Sequence, residues 1–168
     1  MTGQATAKRQ AEFTEFVNSA AGYLTRTAFL LCGDVDLAND LVQEALTRTY
    51  AAWWRVRPDD ARGYARRVLV NLSVDRWRRS GPQAVELGDC QASGSAEASV
   101  DNRDEAARLL RALPLHQRRV IVLRYYDDLS EADVARTLGV SVGTVKAACS
   151  RGLATLREQL APIKKGER

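Results

Sequence analysis

From Ser130 to Arg157 the chain reads SEADVARTLGVSVGTVKAACSRGLATLR, a spacing that leaves few folds open. It predicts two short helices meeting at a tight glycine turn. Ser130, with Asp133 three residues on, caps a first helix whose buried stripe is Val134, Ala135 and Leu138. Gly139 ends that helix, because glycine takes the positive φ of a helix C-terminus without steric cost, and Ser141 caps the second by accepting from a free first-turn amide. Ala135 is small where the helices touch, and Val140, Val145 and Ala148 are expected on the inward face. That leaves Ser141, Val142, Thr144, Lys146, Ala147, Ser150 and Arg151 on the faces free to enter a DNA major groove. The plainer alternative is a helical hairpin with a glycine corner.

Elsewhere helical periodicity dominates. Phe13, Phe16, Val17, Ala20, Leu24, Ala28 and Leu31 mark one buried face, closed by Gly33. A second helix is expected from about Leu37 to Trp54 and a third from Arg62 to about Arg79, separated by a loop at Pro58, Asp59 and Asp60. These three form one bundle over residues 10–80. Residues 81–102 are rich in Gly, Ser, Ala and acids, without a helical stripe, and read as a flexible linker. Helices from Arg103 to Leu113 and from Leu115 to Tyr126, broken at Pro114, then complete a four-helix domain over 103–160 with the helix pair. Nothing resembles a strand-pairing pattern. The expected fold is all-α, two small helical domains joined by an acidic tether.

Charge is distributed to match. The 168-residue chain carries a net +4, but residues 55–79 hold +5 and 108–168 hold +6, while 80–107 hold −5. Two basic modules flanking an acidic connector suit a polyanionic partner. In the first module Arg62, Arg66, Arg67, Arg76, Arg78 and Arg79 mix with Tyr64, Asn71 and Trp77. Guanidinium groups neutralise phosphates, and aromatic rings stack on exposed bases. The competing reading is a solvated arginine-rich helix, and Tyr64 and Trp77 individually are expected in its core.

The remaining residues point away from other classes. Cys32, Cys90 and Cys149 are isolated and odd in number, so reduced thiols are expected rather than disulfides or a zinc site. His116 is the only histidine and is expected on a helix surface. No apolar run approaches the roughly 20 residues that span a bilayer, so the protein is expected to be cytoplasmic, with no membrane insertion. There is no phosphate-cradling glycine loop, metal-ligand cluster or nucleophile–base pair. No enzymatic activity, cofactor or metal is expected.

Several stretches together resemble the extracytoplasmic-function group of sigma-70-family RNA polymerase sigma factors, in particular its actinobacterial sigma-E-like branch. DLVQEALTRTY, from Asp40 to Tyr50, is similar to the family's core-polymerase-binding helix. YARRVLVNLSVDRWRR, from Tyr64 to Arg79, is similar to its promoter-melting helix, with Asn71, Asp75 and Arg76 in an N-x-x-x-D-R arrangement. The segment from Ala112 to Arg157, including VGTVK, is similar to its second domain. The resemblance implies a transcription initiation factor that binds core RNA polymerase, at its clamp helices and flap, and directs it to promoter DNA. Asp40, Leu41, Val42, Gln43, Glu44 and Arg48 would meet the clamp, although Leu41 and Val42 also fit the internal stripe of their own helix. Arg62, Arg66, Arg67, Asn71, Asp75, Arg76 and Arg79 would act at the −10 element, with a loop from about Arg55 to Gly63 capturing a flipped base. Asp75 has the alternative of capping or pairing with an arginine. Ser141, Val142, Thr144, Lys146, Ala147, Ser150 and Arg151 would read the −35 element. An anti-sigma factor is a further implied partner. The alternative is a helix-turn-helix regulator that binds a duplex operator without joining the polymerase.

Overall fold

The computed structural model describes residues 2–80 and 99–161. All regular structure among them is helical, in two compact units: residues 2–28 with 34–80, and 29–33 with 99–161. The all-α expectation holds for the described residues. Most of the segment read as an acidic linker lies outside them, as does Cys90; only its end is seen, where a helix has already begun at Ser99.

The first unit is built on α1 (Thr2–Cys32) as far as Ala28, α2 (Val35–Ala51) and α3 (Ala61–Ser80). α1 starts well before Phe13; its residues 3–8 are exposed, and its contacts with the bundle begin at Arg9. Arg9 donates to the Tyr50 carbonyl at 3.0 Å and lies over the Tyr50 ring, while Phe13 and Phe16 pack against Tyr50 and Trp53 with centroids 4.8 to 5.1 Å apart. Asp34 caps α2 by accepting from the Leu37 amide at 2.7 Å. The interior is lined by Ala20, Leu24, Ala28, Ala45, Ala65, Leu69 and Val70, all fully buried. Their small size lets the helices approach closely, so each larger side chain, Leu24 and Leu69 above all, fills its space completely.

α2 ends at Ala51, earlier than the expected Trp54, and the chain unwinds through single turns to a 3₁₀ segment at Pro58–Asp60. The change of geometry separates the two tryptophans: Trp53 packs into the aromatic cluster and Trp54 is 74% exposed. Trp77, expected in the core, is instead 41% exposed near the end of α3; the core positions of that helix are taken by Leu69, Val70 and Leu72.

The second unit comprises α4 (Ser99–Arg111), α5 (Leu115–Ile121), a π-helical turn (Val122–Tyr126), α6 (Glu131–Leu138) and α7 (Val142–Leu160). Arg118 anchors it. Its guanidinium donates to the carbonyls of Leu110 and Arg111, each at 2.9 Å, closing the C-terminal end of α4 where carbonyls lack partners. Burial pushes this arginine below its ordinary pKa. His116, as expected, is exposed. The π turn was not expected. The Asp127 amide reaches back five residues to Val122, and Tyr125 and Tyr126 emerge 58% and 37% exposed. Asp128 follows at φ 52°, and the Leu129 amide returns to the Leu123 carbonyl at 3.0 Å, which turns the chain into α6.

Candidate nucleic-acid interface

In the second unit the local chemistry sets the α6–α7 corner. The Ser130 Oγ accepts from the Asp133 amide at 3.1 Å and donates to the Asp133 carboxylate at 2.6 Å. That bond, followed by the Arg136 guanidinium on the same carboxylate, holds the Asp133 carboxyl below its usual range. Gly139 sits at φ 66°, ψ 37°, and its amide and that of Val140 both return to the Ala135 carbonyl. Ser141 then caps α7, its Oγ accepting from the Thr144 amide at 3.1 Å and lying 2.9 Å from the Thr144 hydroxyl.

Val134, Val145 and Ala148 are buried between the helices, as is Ala135. Val140 departs from expectation: it is 40% exposed. It lies in the turn between the two helices, where the backbone bond back to Ala135 directs the chain, so helical periodicity does not apply to it. α7 leaves Ser141, Val142, Thr144, Lys146, Ser150 and Arg151 exposed, with Ala147 half-buried beside them. Lys146 is tethered, its Nζ 3.7 Å from a Glu131 carboxylate oxygen at the start of α6. On the far flank the Tyr125 hydroxyl meets the Cys149 thiol at 3.7 Å, a hydrogen bond that raises the tyrosine pKa.

In the first unit α3 divides its basic residues between two sides. Arg62 lies over the Tyr23 ring of α1, 5.3 Å from its centroid, and Arg66 reaches the Tyr23 hydroxyl at 3.4 Å. Arg67 instead pairs with Asp60 of the preceding loop at 2.7 Å and lies over the Tyr64 ring. Gly63 lies against the same carboxylate: a Cβ there would stand 2.5 Å from the Asp60 Oδ1, so the Asp60 side chain would have to shift. Beside this pair is an open cleft of about 500 Å³, lined by Arg48, Ala51, Ala52, Trp54, Arg55, Tyr64, Val68 and Asn71. Asn71 therefore joins the cleft. Arg76 and Arg79 are exposed near the helix end, and Asp75 is half-buried.

Arg55 opens the loop expected to capture a flipped base, whereas Trp54 carries no such expectation and Tyr64, expected in the core, is half-buried. The available signal was the WW pair at 53–54, in which a helix ending at Ala51 turns one ring inward and the other out. On α2, Asp40, Gln43, Glu44 and Arg48 are exposed, the last two paired at 2.5 Å. Leu41 and Val42 are only 3% and 5% exposed, and they belong to the interior stripe that positions the helix.

Among the described residues no cluster of His, Cys, Asp and Glu could hold a metal ion, and no helix is long and apolar enough to cross a membrane. Neither Cys32 nor Cys149 is in a disulfide.

Comparison with known proteins decides what this pair of units is. Residues 16–82 match the family model for sigma-70 region 2, and residues 103–156 match that for sigma-70 region 4. An RNA polymerase sigma-E factor of Streptomyces coelicolor is 37% identical over 152 residues, covering 89% of this chain and 86% of that protein. The chain belongs to the sigma-70 family. The RNA polymerase sigma-E factor of Streptomyces avermitilis is 38% identical, covering 89% of this sigma factor and 85% of its own length. The fold is similar to that of the sigma factor RpoE of Bartonella quintana, solved with the anti-sigma factor NepR, with a TM-score of 0.69 at 24% identity and coverage of 93% and 98% of the two chains. CnrH, solved with the cytosolic domain of CnrY, also scores 0.69 at 24% identity, covering 95% and 94%. This sigma factor is a transcription initiation factor that directs RNA polymerase to promoters. The match to region 2 sets aside the reading as a free-standing operator-binding regulator.

Proposed function

We propose that the two units divide promoter recognition between an unpaired −10 strand and a double-stranded −35 element. In the first unit the cleft beside α3 takes an extruded base. Trp54 and Tyr64 supply ring faces, Asn71 supplies both a donor and an acceptor, and Arg55 and Arg67 lie beside the rings. Arg62, Arg66, Arg76 and Arg79 then follow the phosphates, and Asp75 orients its neighbours. The observation that carries this reading is the exposed Trp54 ring at the mouth of a cleft whose flank is cationic. An aromatic side chain left in water beside arginines fits stacking on a base better than any need of the fold.

In the second unit α7 enters the major groove through Val142, Lys146, Ala147, Ser150 and Arg151, with Ser141 and Thr144 at its leading end. The exposed face of α2, Asp40, Gln43, Glu44 and Arg48, meets the polymerase clamp helices, and Leu41 and Val42 hold that face in place from within. The second unit meets the flap. The polymerase performs the phosphoryl transfer, so this chain works in the cytoplasm without catalytic residues or cofactor. An anti-sigma protein, of the kind that accompanies RpoE, is its expected inhibitor.

Strand opening tests the assignment. Core polymerase with this chain should make promoter thymines near −10 reactive to permanganate, and Trp54→Ala with Asn71→Ala should abolish that reactivity while closed-complex binding persists. Full reactivity in the double variant would show that the cleft takes no base.

A further inference from the structure

We infer that Val142 is a specificity determinant that reads the 5-methyl group of a thymine in the −35 element. The inference rests on the proposed docking of α7 in the major groove and says what that helix reads there.

Purine edges are read most often by arginine or lysine on guanine and by asparagine or glutamine on adenine. From Val140 through Ser150 the chain has no arginine, asparagine or glutamine, and Arg151 comes only further along α7. At the leading end Ser141 Oγ takes the Thr144 amide at 3.1 Å and lies 2.9 Å from the Thr144 hydroxyl, so one of the two hydroxyl protons is spent within the pair. Lys146, a point charge rather than a fork, is held 3.7 Å from Glu131. Beside these polar groups, this end of the helix also offers an apolar surface. Val142 is 39% exposed at the first position of α7 although its neighbours Val145 and Ala148 satisfy the core. Gly143 beside it contributes no side chain, a Cβ there would meet nothing closer than 3.8 Å, and Ala147 contributes a single methyl one turn on. A surface of this kind approaches the groove floor closely without placing a polar group against it.

Of the groups that base pairs present in the major groove, only the thymine 5-methyl is apolar. An exposed isopropyl group at the leading end of a groove-entering helix therefore gains by covering that methyl and loses when a bare cytosine or purine edge stands opposite.

The test uses the promoter identified from transcripts of core polymerase with this chain. Thymines of its −35 element are replaced one at a time by deoxyuridine, which removes only the methyl, and the affinity of the holoenzyme is measured. The expected result is a loss of about fourfold at one position, the value of one buried methyl. Val142→Ala should bind the thymine and deoxyuridine duplexes alike, and thymine replacement outside the −35 element should change nothing. If deoxyuridine is tolerated at every −35 position while Lys146→Ala or Arg151→Ala still weakens binding, the helix docks and the methyl reading is wrong. If neither deoxyuridine nor those two substitutions has any effect, the docking of α7 fails, and this inference fails with it. A mapped −35 element with no thymine on either strand also overturns the inference.

Discussion

Neutralising Glu131 should tighten binding to promoter duplex. Its carboxylate lies 3.7 Å from the Lys146 ammonium, the two side chains being 36% and 65% exposed. Two unit charges at that separation attract by about 1 kcal/mol in water, and exposed pairs of this kind net about 0.2 to 1 kcal/mol once side-chain entropy and salt are counted. A DNA phosphate competing for Lys146 has to overcome that attraction and the repulsion of the carboxylate itself. Glu131→Gln keeps the shape and removes both, so affinity should rise between about 1.5-fold and fivefold. The salt dependence should also steepen, by at most about 0.9 in the log–log slope, as one more cation is released to a phosphate. Glu131 opens α6, where a negative charge stabilises the helix by about 0.3 to 1 kcal/mol. The variant should therefore melt slightly earlier, and binding is best compared well below either midpoint. The assay is equilibrium binding of holoenzyme to promoter duplex over a salt series, with Lys146→Ala in both backgrounds. The reasoning is refuted if Glu131→Gln weakens binding, or if its gain survives the loss of Lys146.

Trp54→Ala should leave thermal stability within about 0.5 kcal/mol, because the ring is 74% exposed, yet reduce open-complex formation by an amount worth about 1 to 3 kcal/mol, the value of one stacked base; permanganate footprinting beside thermal unfolding separates the two. Gly139→Ala introduces a Cβ that meets nothing within 4 Å, so its cost is the left-handed backbone alone, about 1 kcal/mol net of the entropy lost from the unfolded chain. The second unit should then melt about 4 to 8 °C lower, with Gly139→Asn in between. Asp133 has a folded pKa below its unfolded value, so its contribution is present above the unfolded pKa and disappears as pH falls through the folded one. Asp133→Asn should therefore be less stable than the parent at neutral pH, with the difference shrinking to nothing in acid, as read from unfolding midpoints across a pH series.

The α6–α7 corner was legible because each of its determinants is local. Ser130, Gly139 and Ser141 do within three or four residues what their chemistry requires, and the caps formed as expected. Where local rules stop applying, the reading failed for physical reasons. Val140 was given a helical facing although it lies in the turn. The π turn at Val122–Tyr126 adds a residue to a helix whose apolar run Val120–Leu123 looks the same at either pitch. Trp77 was sent to the core on its hydrophobicity, but Leu69, Val70 and Leu72 already fill that side of α3. The cleft was beyond reach for another reason. It joins the end of α2, the loop after it and the middle of α3, so its shape depends on how two helices pack, although Arg55 and Asn71 were already expected to act at the −10 element. Leu41 and Val42 illustrate the same limit: a motif that resembles a binding helix says which element meets the partner, and only packing says which of its residues face outward.

The central claim is that this chain, without chemistry of its own, enables a polymerase to find and open particular start sites. Sequencing the 5′ ends of RNA made in vitro by purified core polymerase, with and without the chain, measures that directly. Start sites that appear only with the chain, each preceded by the same two spaced sequence elements, are the predicted result. Transcripts indistinguishable from those of core polymerase alone, on the DNA of the cell that makes this protein, would contradict it.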